Sequence, residues 1–131
     1  MIITPSSQSA GELMTYVDDS SGVPINSYEW ITYEDEEQYI YMDLDFNLTV
    51  KGTSIDVILE GRGVGLDYDL YFISSTVYST SGNLSFSSSI EQYTISLESL
   101  TDGEAGRFHI RLKLKSIGGN PTFIYWIKIA R

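Results

Sequence analysis

Between Tyr39 and Val50 the chain alternates with a period of two. Ile40, Met42, Leu44, Phe46, Leu48 and Val50 take the even positions, and Tyr41, Asp43, Asp45, Asn47 and Thr49 the odd ones. Successive side chains of a strand point to opposite faces, so this run predicts a long strand with one face buried and one wet. Lys51-Gly52-Thr53 forms a turn, after which Ile55, Val57 and Leu59 alternate against Asp56 and Glu60. Gly61, Gly63 and Gly65 predict a flexible turn region. Asp69–Ile73 reads as a strand with apolar residues on both sides, and Ser74–Ser89 as a Ser-rich strand with loose turns. Tyr93, Ile95 and Leu97 alternate with Thr94, Ser96 and Glu98. A turn at Asp102–Gly106 leads to Phe108, Ile110, Leu112 and Leu114, interleaved with Arg107, His109, Arg111, Lys113 and Lys115. That pattern is a strand with a strongly cationic outer face.

Gly118-Gly119-Asn120-Pro121 turns the chain into a last strand, Thr122–Ala130. There Phe123, Tyr125, Ile127 and Ile129 are expected on one face, with Ile124 and Trp126 on the other. Strands recur with turn signals between them and no segment has helical spacing. The expectation is an all-β, antiparallel two-sheet sandwich of about eight strands. Residues 1–27, with Pro5, Gly11, Gly22 and Pro24 among Ser, Asp and Thr, read as an extended N-terminal segment or linker. Within it Leu13 to Val17 is short and apolar enough to pair as an edge strand. Residues 28–131 then form the sandwich domain.

Composition narrows the function. At 131 residues, 42% of them hydrophobic, one domain with a useful core is expected. The longest apolar stretches, such as Ile124-Tyr125-Trp126-Ile127, are too short to span a bilayer, so no membrane insertion is expected. No basic region followed by an apolar run opens the sequence as a signal peptide would. The chain has no cysteine, which excludes disulfides, thiolate metal sites and a cysteine nucleophile. A net charge of −10 with no basic stripe argues against nucleic acid. Its distribution is uneven: residues 1–60 hold twelve acids against one base, and residues 61–131 hold six acids against seven bases. Two solvated faces account for this, as do cation binding or head-to-tail association.

No nucleophile–base pair is readable, and the single histidine, His109, falls on the charged face of a strand. Acidic clusters are the first candidate feature. Asp18-Asp19 lies in the N-terminal segment, Glu34-Asp35-Glu36-Glu37 precedes the long strand, and Asp67 and Asp69 begin another. Calcium takes six to eight oxygen ligands, often from loops at strand ends, which these positions suit in kind. Exposed aromatics are the second. Tyr39 and Tyr41 lie opposite the expected core face, as does Trp126, and aromatic platforms on sheets bind sugars or protein partners.

The order of segments resembles the bacterial and archaeal pre-peptidase C-terminal (PPC-type) domain over residues 28–131. Glu34-Asp35-Glu36-Glu37-Gln38-Tyr39-Ile40-Tyr41 is similar to that family's acidic lead into a long strand. Gly52-Thr53-Ser54-Ile55-Asp56-Val57 and Asp67-Tyr68-Asp69-Leu70-Tyr71 match its next two motifs, the second its Asp-x-Asp-Leu-Tyr signature. Glu91-Gln92-Tyr93-Thr94-Ile95, Gly106-Arg107-Phe108-His109-Ile110-Arg111-Leu112 and Tyr125-Trp126-Ile127-Lys128-Ile129 follow in order, with Phe108 where the family has Tyr. The resemblance implies a jelly-roll-like sandwich appended to secreted hydrolases as a binding, stabilising or secretion module. It also implies calcium in some members, pointing first to Asp35 and Glu37 and then to Asp18 or Asp19.

Together these readings favour a non-catalytic, extracellular or cell-surface accessory domain, calcium-stabilised, that binds the polysaccharide or protein substrate of an associated enzyme. The alternative is a structural subunit that associates with copies of itself into a filament, sheath or capsid-like array, exchanging its N-terminal segment as a strand. A small hydrolase or lyase using paired acids such as Asp67 and Asp69 is the third reading.

Overall fold

The computed structural model describes residues 15–18, 30–31, 38–117, 120 and 122–131, with backbone alone at 15–18, 30–31, 38–43 and 116. The long alternating run forms β3, Gln38–Thr49, and its even positions Leu44, Phe46 and Leu48 are buried as the period requires. The remaining strands are β1 (Thr15–Asp18), β2 (Trp30–Ile31), β4 (Ile55–Gly63), β5 (Gly65–Ile73), β6 (Val77–Ser85), β7 (Glu91–Leu97), β8 (Ala105–Ser116) and β9 (Thr122–Ala130). One sheet has the order β1–β9–β4–β7, with β2 also on β9; the other has the order β3–β8–β5–β6. From β3 to β9 the chain crosses between the sheets at every connection except the β5–β6 hairpin, which is jelly-roll topology. All pairings are antiparallel apart from β1, which runs parallel to β9 from Thr15↔Ile127 to Asp18↔Ala130. The described strands thus include residues 15–18, inside the segment expected as a lead-in and overlapping the Leu13–Val17 stretch.

The two inner faces make one apolar core. Phe46, Phe108 and Phe72 stand in register across β3, β8 and β5 and are all essentially inaccessible; Leu44, Ile110 and Leu70 form the next row. Against them pack Val57, Leu59, Ile95, Ile127 and Ile129 of the other sheet. Fully burying side chains of this size stabilises the fold by about 1.5–3 kcal/mol each.

The glycine-rich stretch is a corner, not the flexible turn its composition suggests. Gly61 and Gly63 belong to β4 and Gly65 opens β5, so a single residue, Val64, carries the chain from one sheet to the other. Gly63 and Gly65 have φ of 114° and 143°, which side-chain-bearing residues rarely adopt. A Cβ on Gly65 would also overlap the Leu84 carbonyl. Thr122, fully buried at the start of β9, locks this corner. Its hydroxyl accepts from Gly65 N–H at 3.0 Å and donates to Lys115 C=O at 2.6 Å.

The last strand departs from simple alternation. The β4–β9 register pairs Glu60 with Trp126 but Gly61 with Ile124, so Tyr125 is an extra residue in a β-bulge. The phase of β9 therefore reverses at this point. Ile124, Ile127 and Ile129 face the core, whereas Phe123 and Tyr125, expected beside Ile127 and Ile129, are only half-buried and lie outside it. Trp126, opposite Glu60, is also half-buried on the outer side.

Candidate binding face

The outer face of the four-stranded sheet collects residues far apart in sequence. Its central strand, β8, presents Arg107, His109, Arg111, Lys113 and Lys115, the positions between its buried Phe108, Ile110, Leu112 and Leu114. On one side β3 places Asp43 opposite Arg111, Asp45 opposite His109 and Asn47 opposite Arg107. On the other side β5 places Asp67 opposite Lys113, Asp69 opposite Arg111, Tyr71 opposite His109 and Ile73 opposite Arg107. Outermost, β6 contributes Asn83, Ser81, Ser79 and Val77 opposite those four β5 residues in turn.

The basic β8 is laid between two acid-bearing strands, one from each half of the chain. Arg107 ion-pairs with Asp45 in a two-pronged contact, and Lys115 Nζ lies 3.0 Å from Asp67 Oδ1. Each pair has one partner open to solvent, Arg107 in the first and Asp67 in the second, so screening keeps their contribution to stability small. They do hold planar acceptors and donors at fixed spacing on a rigid sheet.

Tyr71 and His109 sit edge to face, with ring centroids 6.4 Å apart and an interplanar angle of 81°. With Ile73 and Arg111 they line an open groove of about 270 Å³. Such a groove offers a ring or aliphatic face to the C–H face of a flat ligand. The adjoining Asp69 and Arg111, opposite each other in register, offer hydroxyl-directed hydrogen bonds.

Of the residues singled out by sequence, Asp67 and Asp69 lie on this face. Tyr39 and Tyr41 join it by register, opposite Lys115 and Lys113, though their side chains lie outside the described atoms. Trp126 is on the other sheet, so the three aromatics do not form one platform. Asp18 stands at the end of β1 opposite Ala130, with its side chain undescribed; Asp19, Asp35 and Glu37 lie outside the described residues. Asp67 faces Lys113 and Asp69 faces Arg111 across the strand pair, and Asp67 also pairs with Lys115. The sequence reading placed His109 on the charged outer face of its strand and Tyr71 in the Asp67–Tyr71 motif, but took neither as a binding residue. The signal was present as Asp67, Asp69, Tyr71 and Ile73 at a spacing of two, but it becomes a site only once β8 is known to lie beside β5.

No protein-family model matches the chain, and no curated protein matches it by sequence. Its fold is shared with solved structures of carbohydrate-binding modules. TmCBM61, solved in complex with beta-1,4-galactotriose, aligns with a TM-score of 0.50 and 10% identity over 80% of this chain and 70% of its own. A CBM4 module aligns with a TM-score of 0.51 and 9% identity over 82% and 72%. At this identity the likeness establishes the β-sandwich fold. No helix among the described residues is long and apolar enough to cross a membrane.

Proposed function

We propose that this domain is a non-catalytic, extracellular carbohydrate-binding module that holds a glycan chain against the outer face of the β3–β8–β5–β6 sheet. The carrying observation is the Tyr71–His109 groove, flanked in register by Asp69, Arg111 and Arg107. Sugars are recognised by an aromatic surface against the pyranose C–H face together with planar side chains that bond vicinal hydroxyls, and the groove supplies both. Cations on β8 alternate with carboxylates on β3 and β5, which favours a neutral glycan over a charged one. The carbohydrate-binding-module fold supports this reading, as does the PPC-type resemblance, which implies the same appended, accessory role. The glycan would be the substrate of an enzyme to which the module is joined or with which it acts. The calcium implied by the resemblance would be held first by Asp35 and Glu37, and then by Asp18 or Asp19.

The test is a screen on immobilised neutral polysaccharides followed by calorimetry on the best binder. Wild type is expected to bind with micromolar to millimolar Kd, and Tyr71→Ala to bind at least tenfold more weakly with an unchanged melting temperature. Equal affinity of Tyr71→Ala would remove the groove from the site. Turnover of the polysaccharide, abolished by Asp67→Asn, would replace the reading with an enzymatic one.

A second reading, association with copies of itself, is favoured by β6. Among the described strands it is the edge of its sheet, and it runs nine residues, Val77–Ser85, without a charged residue or proline. Uncharged open edges template strand addition. Light scattering across a hundredfold concentration range, for wild type and Ser81→Lys, tests it: association that Ser81→Lys suppresses supports the edge, and a monomer throughout removes it.

A further inference from the structure

We propose that Arg62, on the opposite sheet from the binding face, is the anchor of a second site that takes the carboxylate of a small polar ligand, of the kind a uronic acid carries. The β-bulge that reverses the phase of β9 puts Phe123 and Tyr125 on the outer side, their rings nearly parallel at 8° with centroids 6.3 Å apart. Arg62 of β4, paired with Phe123 in register, lays its guanidinium over the Phe123 ring at 3.8 Å. Its Nε–H donates to the Tyr125 hydroxyl at 2.7 Å. Stacking fixes the plane of the fork and the hydrogen bond fixes its rotation, so the group is oriented before any ligand arrives.

The terminal nitrogens are the informative part. A guanidinium has five N–H donors, and here only Nε–H has an acceptor among the described residues. No carboxylate lies within ion-pair distance of Arg62 among those residues, although the chain carries 18 acids. The nearest acid on the same face of β4 is Glu60, two residues away or roughly 6–7 Å along the strand. A half-buried, oriented cation with no carboxylate partner among the described residues favours an incoming anion. A carboxylate matches the fork with two parallel hydrogen bonds. A single cation balances one negative charge, which suits a carboxylate better than a phosphate dianion. Beside the fork, Gly63, Val64, Ser88 and Asn120 complete a groove of about 330 Å³ with Arg62 and Phe123. The Ser88 hydroxyl and Asn120 amide suit ligand hydroxyls. This site does not depend on the glycan face, and either can fail alone.

The experiment follows the arginine Nε–H signals of the ¹⁵N-labelled protein by NMR. The titrants are sodium glucuronate, N-acetylglycine, glucose and sodium chloride, at matched ionic strength. The expected result is a saturable shift of the Arg62 signal with glucuronate, at least fivefold larger than with glucose or chloride. Arg62→Gln should weaken glucuronate binding at least tenfold. Arg62→Lys, which keeps the charge but loses the fork, should weaken it severalfold and serves if the glutamine variant fails to fold. Saturable binding of N-acetylglycine at equal affinity would support a site for the carboxylate alone, open to peptide as well as sugar acids. Parallel, non-saturating shifts of Arg62, Arg107, Arg111 and Arg131, or an Arg62→Lys variant that binds as wild type does, would overturn the proposal.

Discussion

Thr122→Val asks whether one hydroxyl ties the two sheets together at the corner that launches β5. Valine keeps the shape and burial of threonine and removes only the oxygen. In the structure that oxygen accepts from Gly65 N–H and donates to Lys115 C=O, in a position with no solvent access. Removing it strands a buried backbone donor, which costs about 1–3 kcal/mol, and full burial puts the loss at the upper end, about 2–3 kcal/mol. Unfolding entropy of about 2.1 cal/mol/K per residue gives about 0.28 kcal/mol/K for 131 residues, so Tm should fall by about 7–11 °C. Thr122→Ser keeps the hydroxyl and loses one methyl, about 0.8 kcal/mol and about 3 °C. Calorimetric melts of both variants decide the matter. The reasoning fails if Thr122→Val melts within about 2 °C of wild type, or if Thr122→Ser is the less stable of the two. Because β5 carries Asp69 and Tyr71, the valine variant should also weaken binding on the outer face severalfold at temperatures where it remains folded.

Three further outcomes follow from the same geometry. Gly65→Ala meets both a φ of 143° and the Leu84 carbonyl, so it should cost about 3 kcal/mol or more and be visible as insoluble expression or a melt well below that of Thr122→Val. Phe108→Ala removes the central ring of the Phe46–Phe108–Phe72 row and should cost about 3–5 kcal/mol in urea unfolding; a loss under 1 kcal/mol would mean the row is not packed as described. Asp67→Asn should leave the thermal response to millimolar calcium unchanged, since Asp67 is held by Lys115; loss of that response would make Asp67 a metal ligand.

The sequence by itself determined the strands and the inside of the molecule. Period-two alternation at Tyr39–Val50, Ile55–Glu60 and Arg107–Lys115 is a local property, and burial follows it at every side chain described, from Leu44 onward. Where the local rule failed, a non-local contact had intervened. The phase of β9 is set by the bulge at Tyr125, a mismatch with β4 more than sixty residues away, and Phe123 and Tyr125 moved outward with it. The glycines at 61–65 read as flexible because glycine permits many conformations, yet the crossing between sheets and Thr122 confine them to one. The site depended on tertiary structure most of all. Asp67, Asp69 and Tyr71 carry no sign in sequence of what faces them; the pairing of β5 with β8 sets cations opposite the two acids and brings Tyr71 against His109. Strand order across a sheet is decided by how the whole chain closes around its core, and no window of sequence contains that information.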